Sequence, residues 1–233
     1  LGDVYKRQTN KKGPAMFDAD EADLQENATL TKLCRDIKLS ISNKKIQVLL
    51  MFAGVFCCVA MSMPQVHIVP LCIDNGFGLA VGTEILSFML FAAVTSRVLF
   101  GFLSDKIGPI QTLILGSTLQ AISLSMFLPF NSQLSLYIVA ICFGLSQGGI
   151  VPIYAVIISK FLPENEVAER VGLLIFATIV GMSLGGWLSG EIYDYTNSYQ
   201  MAFLNGIFWN LINLLIMFYL FLKYLFQFLL HLE

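Results

Sequence analysis

Residues 46–69 read IQVLLMFAGVFCCVAMSMPQVHIV, twenty-four positions without a single Asp, Glu, Lys or Arg. A helix that crosses a bilayer needs ~20 consecutive, mostly apolar residues at ~1.5 Å rise each. This stretch supplies them, and five more follow at 79–102, 109–129, 133–158, 170–190 and 200–222. Short polar or turn-forming breaks separate them: Asp74-Asn75-Gly76, Ser104-Asp105-Lys106, Pro129-Phe130-Asn131, Pro163-Glu164-Asn165 and Asp194-Tyr195-Thr196-Asn197. The expected fold is an all-α membrane protein with six transmembrane helices.

Composition points the same way. The chain is 56% hydrophobic and 13% charged, with mean hydropathy +0.73, far from the ordinary soluble balance. Of its 30 charged residues, 16 fall in residues 1–45, where no span is expected. A soluble reading would need the remainder to be one giant core with almost no polar surface.

The cations set an orientation. Numbering the breaks alternately, one side holds Lys44, Lys45, Lys106, Lys160, Arg170 and Lys223, whereas the other holds Asp74, Glu191 and Asp194 and no Lys or Arg. By the positive-inside rule the first side is cytoplasmic. Both chain ends are then expected in the cytoplasm, with the protein in the plasma (inner) membrane.

Residues 1–8, beginning with Leu1 instead of Met, read as a translated adaptor scar and are set apart from the fold. Residues 9–45 read as a cytoplasmic linker. Its acidic run Asp18, Asp20, Glu21, Asp23 and Glu26 has little to bury. Leu30, Leu33, Ile37 and Ile41 then recur at helical spacing among Lys32, Arg35 and Lys38. That pattern fits a basic amphipathic segment on the inner leaflet, and a solvated linker fits it equally. Residues 46–222 form the membrane domain, and 223–233 a cytoplasmic tail. No apolar core of signal-peptide length occurs in residues 1–45.

Catalytic chemistry has little to stand on. The cysteines Cys34, Cys57, Cys58, Cys72 and Cys142 make no Cys-x-x-Cys pair, and the chain has two histidines and no His-Glu-x-x-His or Gly-x-Ser-x-Gly. The glycine-rich patches lie inside apolar runs, not after strands. No enzymatic activity, cofactor, metal site or nucleic-acid partner is expected.

Between the second and third spans the chain reads Arg97-Val98-Leu99-Phe100-Gly101-Phe102-Leu103-Ser104-Asp105-Lys106-Ile107-Gly108. This resembles the cytoplasmic loop signature of the major facilitator superfamily, Gly-x-Leu-Ser/Ala-Asp-Arg/Lys-x-Gly. Gly101, Leu103, Ser104, Asp105, Lys106 and Gly108 match, while Pro109-Ile110-Gln111 departs from the basic residues that follow in the family. Residues 46–222 are thereby similar to the C-terminal six-helix half of such a transporter, spans seven to twelve. The resemblance implies two halves with the solute between them near the midplane. It also implies that the spans starting at 46 and 133 line the cavity, those at 79 and 170 meet the other half, and those at 109 and 200 face lipid. The expected partners are the bilayer, a small-molecule solute, and either an N-terminal six-helix half or a second copy. Physically, Gly101 would permit close helix approach, Gly108 a sharp reversal, and Asp105 a contact with a neighbouring helix N-terminus.

Glycines at four-residue spacing, Gly144 and Gly148 in the fourth span and Gly181, Gly185 and Gly186 in the fifth, mark expected helix-packing faces. Pro152 is expected to kink the fourth span. Arg97 is the one basic residue inside a span. It lies where monocarboxylate-type members carry a substrate-binding arginine, although their acidic partner one turn earlier is here Ala93. An intramembrane charge is a functional hypothesis; a snorkelling cation near the inner end is the alternative. Gln147 and Tyr154 are further substrate-binding candidates on the fourth span. His67, between Pro64 and Pro70 where a broken helix would expose it, and Glu84 are candidates for proton coupling. Asn205, Asn210 and Asn213 read as bonds between helices. The expected function is secondary transport of a small solute, with a carboxylate or other organic anion suggested by Arg97. A membrane scaffold or sensor and an intramembrane enzyme stay open as alternatives.

Overall fold

The computed structural model describes residues 42–129 and 132–230, and all regular structure among them is helical. The adaptor reading of residues 1–8, the amphipathic segment through Ile41, and Phe130 and Asn131 of the third break lie outside the described residues. The helices are α1 (Asn43–Asp74), α2 (Gly78–Ile107), α3 (Pro109–Met126), α4 (Gln133–Gln147), α5 (Ile150–Phe161), α6 (Val167–Thr196) and α7 (Tyr199–Leu230), with a 3-10 turn at Glu164–Glu166. Five segments are long and apolar enough to cross a membrane: α1, α2, α4 with α5, the turn with α6, and α7. The remaining crossing is α3, whose polar residues dilute its apolar character. Thr112, Ser117, Gln120 and Ser123 are all buried, so α3 turns that polarity into the bundle.

Three expectations are corrected. Ser104, Asp105 and Lys106 do not break the chain: α2 continues to Ile107, and the reversal falls on Gly108 at φ 91° with Pro109 opening α3. Only a residue without a Cβ takes that φ freely, and proline's fixed φ suits a first helical position. The fourth span is two helices, not one. It breaks at Gly148-Gly149, where Pro152 has no N–H to bond the Gly148 carbonyl four residues back. By contrast α1 is not broken around His67: the helix runs through both Pro64 and Pro70 to Asp74. Helix α7 runs on past residue 222 to Leu230.

Helix α1 lies against α2, α6 and α7, while α2 packs on α4, and α3 on α7 and α4. Glycines set the closest seams. A Cβ at Gly185 would stand 2.4 Å from the Val59 carbonyl oxygen, and one at Gly181 2.5 Å from that of Val55. Gly144 and Gly148 do the same for α4 on α2, at 2.2 Å from the Met89 and 2.1 Å from the Ala93 carbonyl oxygen. Gly186 is looser, with Val66 at 3.4 Å. Gly101 contradicts its expected role, since nothing stands within 4 Å of a Cβ there.

Two apolar cores fill the bundle. One, toward the end bearing Lys44, gathers Leu50, Leu113, Ile153, Ile157, Leu174 and Met217. The other, toward the opposite end, gathers Met63, Ile68, Met89, Leu136, Phe143 and Phe203, with Phe127 stacked on Phe203 at 4.8 Å. Large side chains such as Phe91, Phe102, Phe176, Trp187 and Leu215 remain exposed on the outside. Outward apolar residues around an inward polar girdle are what a lipid solvent selects, because the bilayer offers no hydrogen bonds.

Candidate functional site

Two buried amide clusters occupy the middle of the bundle, and their hydrogen bonds separate them. The first joins four helices. The Tyr154 hydroxyl donates to Asn213 Oδ1 at 2.7 Å, and Asn213 Nδ2 donates to Ser117 Oγ at 2.9 Å. Asn210 Nδ2 donates to the Ser117 carbonyl at 2.9 Å. Gln120 Nε2 donates to the Cys57 carbonyl, and the Cys57 thiol to Gln120 Oε1, both at 3.4 Å. Tyr154, Ser117, Gln120, Asn210 and Asn213 are fully enclosed. Tyr154, a substrate-binding candidate, therefore spends its hydroxyl inside the half.

The second cluster is incomplete. Gln147 is the last residue of α4, midway along the Gln133–Phe161 segment and directly before the Gly148-Gly149 break. Gln65 of α1 donates through Nε2 to Gln147 Oε1 at 3.0 Å. Gln147 is 1% exposed, and its own Nε2 has no acceptor. Desolvating an amide N–H without a partner costs on the order of 1–3 kcal/mol. This unmatched donor lies beside the interrupted helix, midway along the span.

The break itself is braced by α2. Ser96 Oγ donates to the Leu145 carbonyl at 2.7 Å and accepts from Gly149 N–H at 3.1 Å. One hydroxyl thus serves an orphan carbonyl and an orphan amide that the interruption creates. Ala93, which abuts Gly148, lies one turn from Arg97 on the same helix. Arg97 is exposed and makes no hydrogen bond or ion pair among the described residues. Arg97 stands ten residues, ~15 Å, from the end of α2 at Ile107. Its charge is free and stands a turn from the break.

The remaining candidates sit apart from this centre. His67 is half-buried against α6, with Nε2 3.1 Å from the Gly186 carbonyl oxygen, and its ring lies 6.4 Å from Tyr199. Glu84 is exposed on α2 and accepts from the Tyr137 hydroxyl at 2.7 Å. In the loop motif Ser104 is buried and its carbonyl accepts from Gly108 N–H at 3.0 Å. Asp105 and Lys106 are exposed and unpaired among the described residues. The ion pair among the described residues joins Arg170 to Glu166. No group of His, Cys, Asp and Glu able to hold a metal occurs among them either. Gln65, Ser96, Ser117 and Gln120 were not picked out by sequence reasoning. The available signal was a polar side chain recurring within an apolar run, which does not say which neighbour it meets.

Comparison with known proteins places this architecture. Residues 47–225 match the family model of the Major Facilitator Superfamily. The chain is 29% identical over 143 residues to "Monocarboxylate transporter 13" of Rattus norvegicus, covering 60% of this chain and 33% of that protein. It is 25% identical over 143 residues to the protein of the same name from Bos taurus, covering 60% and 34%. It is 29% identical over 168 residues to "MFS-type transporter opdF" of Penicillium oxalicum, covering 68% and 40%. The chain thus matches a third to two fifths of the length of these relatives. With its apolar helices and a family match over most of its length, this multi-pass membrane chain belongs to the major facilitator superfamily.

Proposed function

We propose that the chain forms the C-terminal half of a secondary transporter that moves a small organic anion by alternating access. The observation that carries the reading is an unpaired Arg97 on α2, one turn after the Ala93 that abuts the mid-span helix break, where Gln147 keeps an amide donor without an acceptor. Discontinuous helices near the midplane are where secondary transporters bind solutes. The names of the relatives favour a monocarboxylate among organic anions. In this reading both ends face the cytoplasm, as the Lys and Arg asymmetry suggests. The cavity is completed by an N-terminal six-helix half or by a second copy.

Solute selection then rests on Arg97 for charge and on Gln147 for a second polar atom. A guanidinium offers a planar, bidentate fork to a carboxylate, which an ammonium does not copy. The test is uptake of radiolabelled monocarboxylates into vesicles by the product of the complete gene, with neutral and cationic solutes alongside. Arg97→Lys is expected to weaken carboxylate uptake and Arg97→Ala to abolish it, at equal membrane expression. Full uptake by the lysine variant would remove Arg97 from the binding site, because a snorkelling cation tolerates that exchange.

A further inference from the structure

A groove of about 670 Å³ runs between α6 and α7 near the ends marked by Thr196 and Tyr199. That volume lies within the ~300–1,000 Å³ range of small-ligand sites. Its walls are Trp187, Leu188 and Glu191 from α6 and Leu204, Asn205 and Phe208 from α7. The polar residues are ordered by depth. Glu191 lies five residues, ~8 Å, from the α6 end, and Asn205 six residues, ~9 Å, from the α7 start. Trp187 and Phe208 lie nine residues in, ~14 Å, at acyl-chain depth.

Both polar groups are unfinished. Glu191 is half-buried and has no hydrogen bond or ion pair among the described residues. Asn205 Oδ1 accepts from Trp209 Nε1 at 3.1 Å, but its Nδ2, closed off from water, has no acceptor. The groove therefore carries an unpaired carboxylate and, at nearly the same depth and enclosed behind its wall, an unpaired amide donor, over an apolar floor. Charge decides what fits. The sequence holds no Lys or Arg between Arg170 and Lys223, and Asp194 adds a second carboxylate, an exposed one, at the same end. An anionic headgroup would meet only like charge there.

We propose that this groove binds a bilayer phospholipid with an ammonium-bearing, zwitterionic headgroup. The ammonium pairs with Glu191, an ester carbonyl takes the Asn205 amide after a small side-chain turn, and one acyl chain lies along Leu188, Leu204 and Phe208. This pairing satisfies both unfinished groups, and it stands independently of which solute the protein carries.

Trp187 gives a direct readout, because brominated acyl chains quench an indole they touch. The 233-residue chain would be placed in nanodiscs of an unbrominated, uncharged diglycosyl diacylglycerol doped with brominated-chain phosphatidylethanolamine or phosphatidylglycerol. The Trp187→Phe variant identifies which part of the signal comes from the groove. Phosphatidylethanolamine is expected to half-quench Trp187 at a mole fraction at least threefold below phosphatidylglycerol. Glu191→Gln is expected to bring the two lipids together, with the helical circular dichroism of each variant checked. Asn205→Leu should weaken quenching by both. Equal quenching of the unsubstituted chain by the two lipids would overturn the proposal. So would absence of Trp187 quenching by either, the result expected if protein, not lipid, covers the groove.

Discussion

The two clusters in the middle of the bundle are both built on buried side-chain amides and end in opposite states. Around Asn213, donors and acceptors are matched across α1, α3, α5 and α7 within one enclosed girdle. Around Gln147, a single bond to Gln65 leaves a buried N–H unanswered. The first arrangement is complete without a ligand, so it holds helices together. The second leaves one buried donor without an acceptor among the described residues, and the proposed solute would supply it. Both Gln147 and Asn213 are buried; the unmatched donor is what distinguishes Gln147 from Asn213.

The sharpest way to break that contrast is the seam that supports both clusters. A side chain at Gly185 collides with the Val59 carbonyl at 2.4 Å and with Ser62 Oγ at 2.2 Å. Backbone cannot yield as a flexible side chain can, so Gly185→Val is expected to cost about 1–3 kcal/mol or more. Denaturant-induced unfolding in bicelles would measure it, and an unchanged midpoint would mean that α1 and α6 do not pack as described. Asn213→Leu should come next, at about 2 kcal/mol. The variant strands the Tyr154 hydroxyl while removing one donor to Ser117. A loss below about 0.5 kcal/mol would put this girdle on a level with dispensable membrane hydrogen bonds.

Much of this was legible in the sequence, and the reason is the solvent. A bilayer forces every backbone polar group into a helix, so length and apolarity fix span number and approximate place. The glycine spacing of Gly144, Gly148, Gly181 and Gly185 likewise pointed to faces where backbones meet, because a missing Cβ has few other uses at that spacing. What stayed hidden depends on partners in space. Nothing in the local sequence says that Tyr154 turns to Asn213 while Gln147 turns to Gln65, since both residues lie on the same broken span. Helix ends were hidden too: Ser104-Asp105-Lys106 looked like a break because it is polar, yet polar residues continue a helix readily once it leaves the membrane. Pro64 and Pro70 were read as breakers, but α1 carries both without interruption.

Gln147→Leu sharpens the contrast from the other side. The substitution removes a donor that has no acceptor and frees Gln65, which is only half-buried and can turn to water. Stability is expected to stay within about 1 kcal/mol of the parent, in contrast to Asn213→Leu. Carboxylate uptake by the complete gene product should fall at least tenfold, about 1.4 kcal/mol of lost binding. An equal fall in stability would make Gln147 a second girdle residue, and the two clusters would no longer differ in kind.

The smallest effect concerns the one bond the second cluster does have. A double-mutant cycle over Gln65→Ala and Gln147→Ala isolates the coupling between the two amides from the loss of each side chain alone. Interhelical hydrogen bonds in membranes couple at ~0.6 kcal/mol on average, because the unfolded helices find other partners in the bilayer. The ligand-free cycle should return about that value or less, since Gln65 has water as an alternative. In saturating solute the coupling should change, because a solute acceptor at Gln147 Nε2 polarises the same amide whose Oε1 accepts from Gln65. A coupling unaffected by solute would leave the Gln65–Gln147 bond as an ordinary tie between α1 and α4. The unmatched donor would then lie outside the solute's path.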